Sequence, residues 1–255
     1  MNLEFEQFAC LSDNYGVLVH DPDTGVTASI DAPDAAAVEA ALDRRGWRLT
    51  HILVTHHHAD HTGGILPLKG RHKCEVVGPR AEATKIAGLD RPLTEGDLLR
   101  LGAHDVAVLA TPGHTAGHIA YWIPAAAVAF VGDTMFAMGC GRLFEGTAEQ
   151  MWASLSKLAA LPPETVVYCG HEYTASNARF ALSLEPGNAA LVARAAEVAG
   201  LRAEGRPTLP TTIASERATN PFLRADEPAL RAAVGLPDAP AWQVFAEIRR
   251  RKDVA

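Results

Sequence analysis

Residues 51–64, HILVTHHHADHTGG, form the stretch of sequence that says most about the fold and the chemistry. The apolar run at its start is typical of a short buried strand, and the cluster HHHADH (56–61) follows that strand directly. Side chains alternate along an extended chain, so His56 and His58 can bind one metal ion while His57 points away. The pattern therefore predicts a metal site at the end of a strand.

Asp60 and His61 extend the cluster but cannot share the face of the strand that carries the first ligands, because they are adjacent in sequence. The chain must turn near Ala59, and the following TGG (62–64) suits a turn into a helix. So many titratable groups packed together would be costly without a metal to neutralise them. We therefore expect two adjacent divalent metal ions, most simply Zn²⁺, although a thiolate-free ligand set also suits Fe or Mn.

Three more candidate ligands lie at the ends of later strand-like runs. His114 follows DVAVLATPG (105–113), Asp133 ends AVAFVGD (127–133), and His171 follows TVVYCG (165–170). Each of them alone could be structural. Strand ends on one rim of a sheet can bring distant residues together, and this shared placement favours the ligand interpretation.

The remaining histidines are interpreted as surface, strand-edge or supporting residues: His20, His51, His57, His72, His104 and His118. Asp31, at the end of a strand before the first helix, is a weaker candidate for supporting a ligand from behind.

The order of patterns predicts a β-rich first part and a helical last part. Strand-like runs cover 14–21, 25–32 and 75–78 besides those already named, and a helix is expected over 33–46. Thr147 and Gln150 have the spacing of a helix capping box. After residue 171 the apolar periodicity is helical. We expect a metal-binding catalytic domain over 1–171 and a helical substrate-binding domain over 172–255.

Composition limits the function classes. The 255 residues are 48% hydrophobic and 21% charged, with a formal net charge of −7, which argues against a nucleic-acid partner. The four cysteines form no CxxC pair, so reduced and mostly buried thiols are expected. No apolar segment is long enough to cross a bilayer, and the amino-terminal residues lack a signal pattern. We expect a cytoplasmic protein with no membrane partner.

Four motifs resemble the metallo-β-lactamase superfamily of hydrolases: THHHADH (55–61), PGHTAGH (112–118), GDTMF (132–136) and CGHEYT (169–174). The resemblance implies an α/β fold, an αββα sandwich, followed here by a C-terminal helical domain. It also implies one metal held by His56, His58 and His114, and a second held by Asp60, His61 and His171. Asp133 would bridge them. The implied mechanism is attack on the substrate carbonyl by a metal-bridged hydroxide, with Asp60 orienting the water.

Further stretches resemble the hydroxyacylglutathione hydrolase (glyoxalase II) family within that superfamily: CGRLFEGT (140–147), TTIASERATNPFLR (211–224) and RRRKD (249–253). This resemblance implies hydrolysis of S-D-lactoylglutathione to D-lactate and glutathione. We expect a monomer. The same resemblance implies that glutathione is held by Arg142, Phe144, Tyr173, Arg249 and Lys252. The family commonly has lysine at position 142 and tyrosine at 144, so this chain keeps the charge but lacks one hydroxyl.

Four alternatives remain open from the sequence. A mononuclear iron dioxygenase acting on glutathione persulfide would need only one metal. A nuclease of the superfamily is disfavoured by the net charge, and a non-enzymatic binding protein by the complete ligand set. The basic stretch RRRKD (249–253) could also be a solvated helix end with no part in glutathione binding, since the helix dipole favours cations there.

Overall fold

The computed structural model of the chain describes residues 3–255, which form two compact units. The first unit runs to Ala110 and includes Thr115–Gly132. The second comprises Thr111–His114 and Asp133–Ala255. The expected domain boundary after residue 171 stays a prediction.

The first sheet belongs to the first unit, and its strands lie side by side in sequence order. The first three strands pair antiparallel with one another, whereas the third to sixth strands pair parallel with one another. The strands are β1 Glu4–Cys10, β2 Asn14–Asp21, β3 Val26–Ile30, β4 His51–Leu53, β5 Glu75–Pro79 and β6 Arg91–Leu93.

A second, antiparallel sheet of the same unit contains β7 Leu98–Leu101, β8 His104–Ala110, β9 Ile119–Ile123 and β10 Val128–Phe130, in the order β10-β9-β8-β7. The buried Tyr121 hydroxyl donates to the carbonyl of Val54 at 2.7 Å, which links this sheet to the first.

Three helices complete the first unit: α1 Ala35–Arg45, α2 Ala59–Thr62 and α3 Ile65–His72. The predicted helix over 33–46 is confirmed as α1, whose N-terminus is capped by the Asp34 side chain and whose end is set by Gly46 in the left-handed region. Side chains of α1 and α3, such as Leu42 and Leu68, pack with Ile52 and Val76 of the sheet in one core. This packing fixes β4 and hence the start of the histidine cluster.

The second unit is mainly helical. Its strands are β11 Met135–Phe136, β12 Gly139–Cys140, β13 Val166–Tyr168 and β14 Thr211–Thr212, paired as two antiparallel ladders. Its helices are α4 Ala148–Ala159, α5 Thr174–Leu184, α6 Ala189–Ala203, α7 Ile213–Thr219, α8 Pro228–Ala233 and α9 Ala241–Asp253. The capping box at the start of α4 is confirmed. An aromatic core runs from Phe180 through Phe222 to Phe245.

Several strands end earlier than predicted. β8, β10 and β13 stop at Ala110, Phe130 and Tyr168, so the candidate ligands that follow them lie beyond the ends of these strands. Gly132 lies two residues beyond the end of β10. Its φ is +46°, and a Cβ there would lie 2.6 Å from Oγ1 of Thr55, so this position favours glycine and turns the chain just before Asp133. No helix among residues 3–255 combines the length and apolarity that a membrane span requires.

Candidate metal-binding active site

The first unit brings together the ligands of the HHHADH cluster. Nε2 of His56 lies 3.1 Å from Nδ1 of His58, and the His56 and His61 ring centroids are 4.2 Å apart. Nε2 of His61 lies 3.6 Å from a carboxylate oxygen of Asp60. The expected turn is present, because α2 begins at Ala59. The turn therefore brings Asp60 and His61 close to His56 and His58.

Asp31 supports this cluster from behind, as the sequence suggested. Nδ1 of His61 donates to Oδ2 of Asp31 at 2.8 Å, and Thr55 donates to the same carboxylate through its N–H and its hydroxyl, at 2.7 and 2.9 Å. Nδ1 of His56 lies 3.0 Å from the Thr55 hydroxyl. A carboxylate on one ring nitrogen fixes the tautomer of a histidine and directs the other nitrogen toward a metal.

Two further side chains hold the cluster, and sequence reasoning missed both. Asn14 donates to Oδ2 of Asp60 at 3.0 Å. The buried Glu82 accepts from the N–H and Nδ1 of His57, at 2.8 and 2.9 Å, and from the N–H of Gly117 at 2.9 Å. His57 thus points away from the ligands, as expected, and its bonds to Glu82 hold the loop of residues 56–61. No local pattern marks Asn14 or Glu82, since their partners are distant in sequence.

The second unit brings together the other three candidate ligands. Oδ2 of Asp133 lies 3.4 Å from Nε2 of His114 and 3.3 Å from Nε2 of His171, and all three side chains are buried. Nδ1 of His114 donates to the carbonyl of Arg142 at 2.9 Å, so its Nε2 faces the carboxylate. The donor atoms of these three side chains therefore converge in one buried cluster.

The predicted glutathione contacts also lie in the second unit. Tyr173, 37% exposed, stacks on the ring of His171 with centroids 4.7 Å apart. Phe144, 62% exposed, meets the edge of the His114 ring at 5.2 Å. The side chain of Arg142 is exposed, with Nε 3.8 Å from a carboxylate oxygen of Asp253. These side chains are accessible to a solute.

The two basic residues of α9 differ from each other. Nζ of Lys252 lies 3.0 Å from the Ser176 hydroxyl and 5.4 Å from the Phe180 ring centroid. Arg249 is only 5% exposed, and its guanidinium donates to the Cys140 carbonyl at 2.9 Å and to Asp253 at 2.8 Å. Lys252 is therefore half-buried and donates to two oxygens of Ser176, whereas Arg249 is buried and donates to a carbonyl and a carboxylate.

The donor chemistry of both ligand sets suits a divalent metal. Imidazole nitrogens and carboxylate oxygens are the ligands of Zn²⁺ and related ions. Outer partners on His61 and His114 present Nε2 toward the other donors, as metal-binding histidines require. The four cysteines are free and buried and belong to neither set, as expected from their spacing.

Comparison with known proteins agrees with this chemistry. Residues 22–171 match the family model of the metallo-beta-lactamase superfamily, and residues 172–255 match that of the hydroxyacylglutathione hydrolase C-terminus. The hydroxyacylglutathione hydrolases of Brucella anthropi and Brucella ovis are each 60% identical over 252 residues. These alignments cover 99% of this chain and 97% and 98% of the two relatives.

Solved structures show the same fold. ETHE1 from Myxococcus xanthus has a TM-score of 0.68 at 28% identity, over 97% of this chain and 90% of that one. The BLEG-1 B3 metallo-beta-lactamase has a TM-score of 0.66 at 24% identity, over 86% of this chain and 99% of that one, and so supports the fold alone. The predicted αββα fold with a C-terminal helical region is confirmed.

The superfamily and the His and Asp groupings together indicate a dinuclear divalent-metal site. Two findings identify the family within this superfamily. They are the family model that matches residues 172–255 and the relatives that match over nearly the whole chain. The chain belongs to the hydroxyacylglutathione hydrolase (glyoxalase II) family, within the metallo-β-lactamase superfamily.

Proposed function

We propose that this protein hydrolyses glutathione thioesters, S-D-lactoylglutathione first among them, to a 2-hydroxy acid and glutathione. The observation that carries the proposal is the 60% identity to hydroxyacylglutathione hydrolases over 99% of the chain, which includes the C-terminal region. The persulfide dioxygenase alternative is not favoured, because relatives at this identity carry the hydrolase name.

The proposed metal ligands follow the family pattern. His56, His58 and His114 would hold one ion, Asp60, His61 and His171 the other, and Asp133 would bridge them. Zn²⁺ is the proposed metal, with Fe and Mn compatible with the same donors. Two convergent groups of donors, one in each unit, support this assignment.

The residues of the chain would prepare the site for attack on the thioester carbonyl. Divalent ions, when bound, lower the pKa of water and polarise a carbonyl oxygen. Asp31 holds the orientation of His61, and Asn14 holds the Asp60 carboxylate, which is proposed to orient the attacking water. The glutathione thiolate leaves with a pKa near that of free cysteine, about 8.5, so it needs little help from a general acid.

The proposed glutathione contacts are Arg142, Phe144, Tyr173 and Lys252. Glutathione carries two carboxylates and one ammonium, so cations complement its net negative charge. Tyr173 and Phe144 contact the rings of His171 and His114, and this places them beside candidate ligands. Because Arg249 is occupied by a carbonyl and a carboxylate, we propose that it serves glutathione binding by supporting the loop of Arg142.

The proposed organisation is a catalytic domain over 1–171 and a glutathione-binding domain over 172–255, in a cytoplasmic monomer. Size-exclusion chromatography with light scattering tests the monomer, and limited proteolysis tests the boundary after residue 171.

Steady-state kinetics test the proposed activity. The purified protein should cleave S-D-lactoylglutathione far faster than a simple lactoyl thioester of the same leaving-group pKa, because only the former engages the cationic residues. Equal kcat/KM values on the two thioesters would refute a role for glutathione recognition. Oxygen consumption with glutathione persulfide, in place of thioester cleavage, would support the dioxygenase.

A further inference from the structure

The short hairpin of β11 and β12 connects the candidate ligand Asp133 to Arg142, a proposed glutathione contact. It begins two residues after Asp133 and ends two residues before Arg142. The N–H of Gly141 donates to the Thr134 carbonyl at 3.3 Å, which closes its base. Since the Arg142 carbonyl accepts from Nδ1 of His114, the hairpin is connected to two candidate metal ligands.

Backbone hydrogen bonds alone cannot make this hairpin rigid. It has only two residue pairs, Met135 with Cys140 and Phe136 with Gly139, and isolated hairpins are marginal in water even when longer. At its tip Met138 has a φ of +53°, a left-handed conformation that disfavours a side chain such as methionine. Something else must hold the tip.

Two side chains of the segment 211–224 hold the tip. Asn220 donates through Nδ2 to the carbonyls of Phe136, at 3.1 Å, and Gly139, at 2.9 Å. The N–H of Met138 donates to Glu216 at 2.8 Å. The segment 211–224, which carries part of the family resemblance, therefore holds the hairpin through its side chains.

Two other helices complete the set. Asn177 of α5 donates to the Ala137 carbonyl at 3.1 Å, and Arg249 of α9 donates to the Cys140 carbonyl. A Cβ at Gly139 would lie 2.3 Å from Nδ2 of Asn177, so the hairpin and α5 approach as closely as glycine allows.

Glu216 is at the centre of this arrangement. It is fully buried, and burial raises the pKa of its carboxyl. Its oxygens accept from the Thr211 hydroxyl at 2.7 Å and from Asn220 at 2.9 Å, besides Met138. Burial of a carboxyl costs free energy. Two of the contacts of Glu216 serve the hairpin tip: it accepts from the N–H of Met138, and it accepts from Asn220, which itself holds the tip.

We propose that Glu216 and Asn220 are positioning residues that hold the hairpin and, through it, the orientation of Asp133 and His114. The inference rests on the proposed function for the identity of the ligands. It assigns the family-specific segment 211–224 a part in metal binding, although none of its residues is a ligand.

The test compares Glu216→Gln with Glu185→Gln. Glu185 is also buried in the second unit, but its partner is Arg224 at 2.9 Å. Thr211→Val, which removes one hydroxyl donor to Glu216, is the milder second variant in case Glu216→Gln does not fold. Metal affinity is measured by chelator competition, melting temperature by calorimetry, and kcat and KM separately.

Loss of a ligand's direct hydrogen-bond partner weakens metal binding by roughly 10- to 100-fold. Because Glu216 acts through the hairpin, we expect Glu216→Gln to weaken metal binding by about 10-fold, the lower end of that range, and to lower kcat more than it raises KM. Thr211→Val should weaken metal binding in the same direction by less. Glu185→Gln should lower the melting temperature and leave metal affinity unchanged. Equal metal affinities among folded variants would overturn the proposal. Chelator competition needs no substrate, so a protein inactive on glutathione thioesters would refute the proposed function and still decide this inference.

Discussion

The two units supply their candidate ligands in different ways. In the first unit they come from the six residues 56–61, and one loop places them. In the second unit His114, Asp133 and His171 come from three separate loops. The contiguous set depends on carboxylates that hold a loop, whereas the dispersed set depends on tertiary contacts such as those around the hairpin. Substitutions that disturb the packing of the second unit should therefore weaken metal binding by displacing His114, Asp133 or His171.

The largest expected effect comes from the dispersed set. Asp133→Ala removes the proposed bridge, and kcat/KM should fall by more than the roughly 100-fold seen for outer partners of ligands. Bound metal per chain should fall as well. Asp105→Ala, which removes an exposed carboxylate paired with Arg100, is the matched control and should change neither quantity. Retention of full activity by Asp133→Ala would show that this residue bridges nothing.

The contiguous set should respond to its carboxylate support. Asp31→Asn keeps the size of the side chain and suits the φ of +56° at this position, but it removes the charge behind His61. Metal affinity should fall by about 10- to 100-fold. Asp21→Asn is the control, because that buried carboxyl accepts from backbone N–H groups of Asp23 and Ala103, remote from the cluster. Equal losses in both variants would indicate a general effect on stability.

Lys252→Ala should act on substrate binding and leave the metals in place. A charge-assisted hydrogen bond is worth about 1.5–3 kcal/mol, or roughly a 10- to 150-fold rise in KM, and partial exposure of this residue favours the lower end. Such contacts are nearly equal in ground and transition states, so kcat should change little. Arg250→Ala on the same helix, an exposed cation paired with Glu247, should leave KM unchanged. If kcat falls instead, Lys252 does more than bind the glutathione part of the substrate.

The pH dependence of KM gives a second test of this cation. Burial, followed by the nearby Arg249, Arg179 and Arg142, lowers the pKa of Lys252 from its usual 10.5, while Asp253 opposes the shift. Only the protonated ammonium attracts a carboxylate, so KM should rise as the pH passes upward through that lowered pKa. Lys252→Arg stays protonated there and should flatten the rise in KM. Identical profiles for the two proteins would contradict the assignment.

The smallest effect is expected at position 144. Phe144→Tyr supplies the hydroxyl common in the family, and one neutral hydrogen bond of about 0.5–1.5 kcal/mol would lower KM roughly 2- to 10-fold. The ring is exposed, so stability should not change. Isothermal titration with glutathione separates a binding gain from an effect on turnover, and an unchanged affinity would mean that the hydroxyl finds no partner.

The sequence predicted best where the determinants are local. The HHHADH cluster, the turn at Ala59 and the capping box of α4 lie within a few residues, and the structure confirms the turn and the cap. The mixed α/β class and the helical C-terminal region are likewise confirmed.

What the sequence could not predict depends on distant partners. Asn14 and the Asp60 side chain that it holds are 46 residues apart, and Asn220 and its acceptor Phe136 are 84 apart. No periodicity encodes such pairs. The buried position of Arg249 follows from packing, not from its place in a basic run.

We propose that the chain binds two metal ions, which together support the cleavage of glutathione thioesters. Titrating metal-free protein with Zn²⁺, while measuring bound metal and S-D-lactoylglutathione hydrolysis on the same samples, tests it directly. We expect activity to saturate only when two ions are bound per chain. Full activity with a single ion per chain would contradict the account.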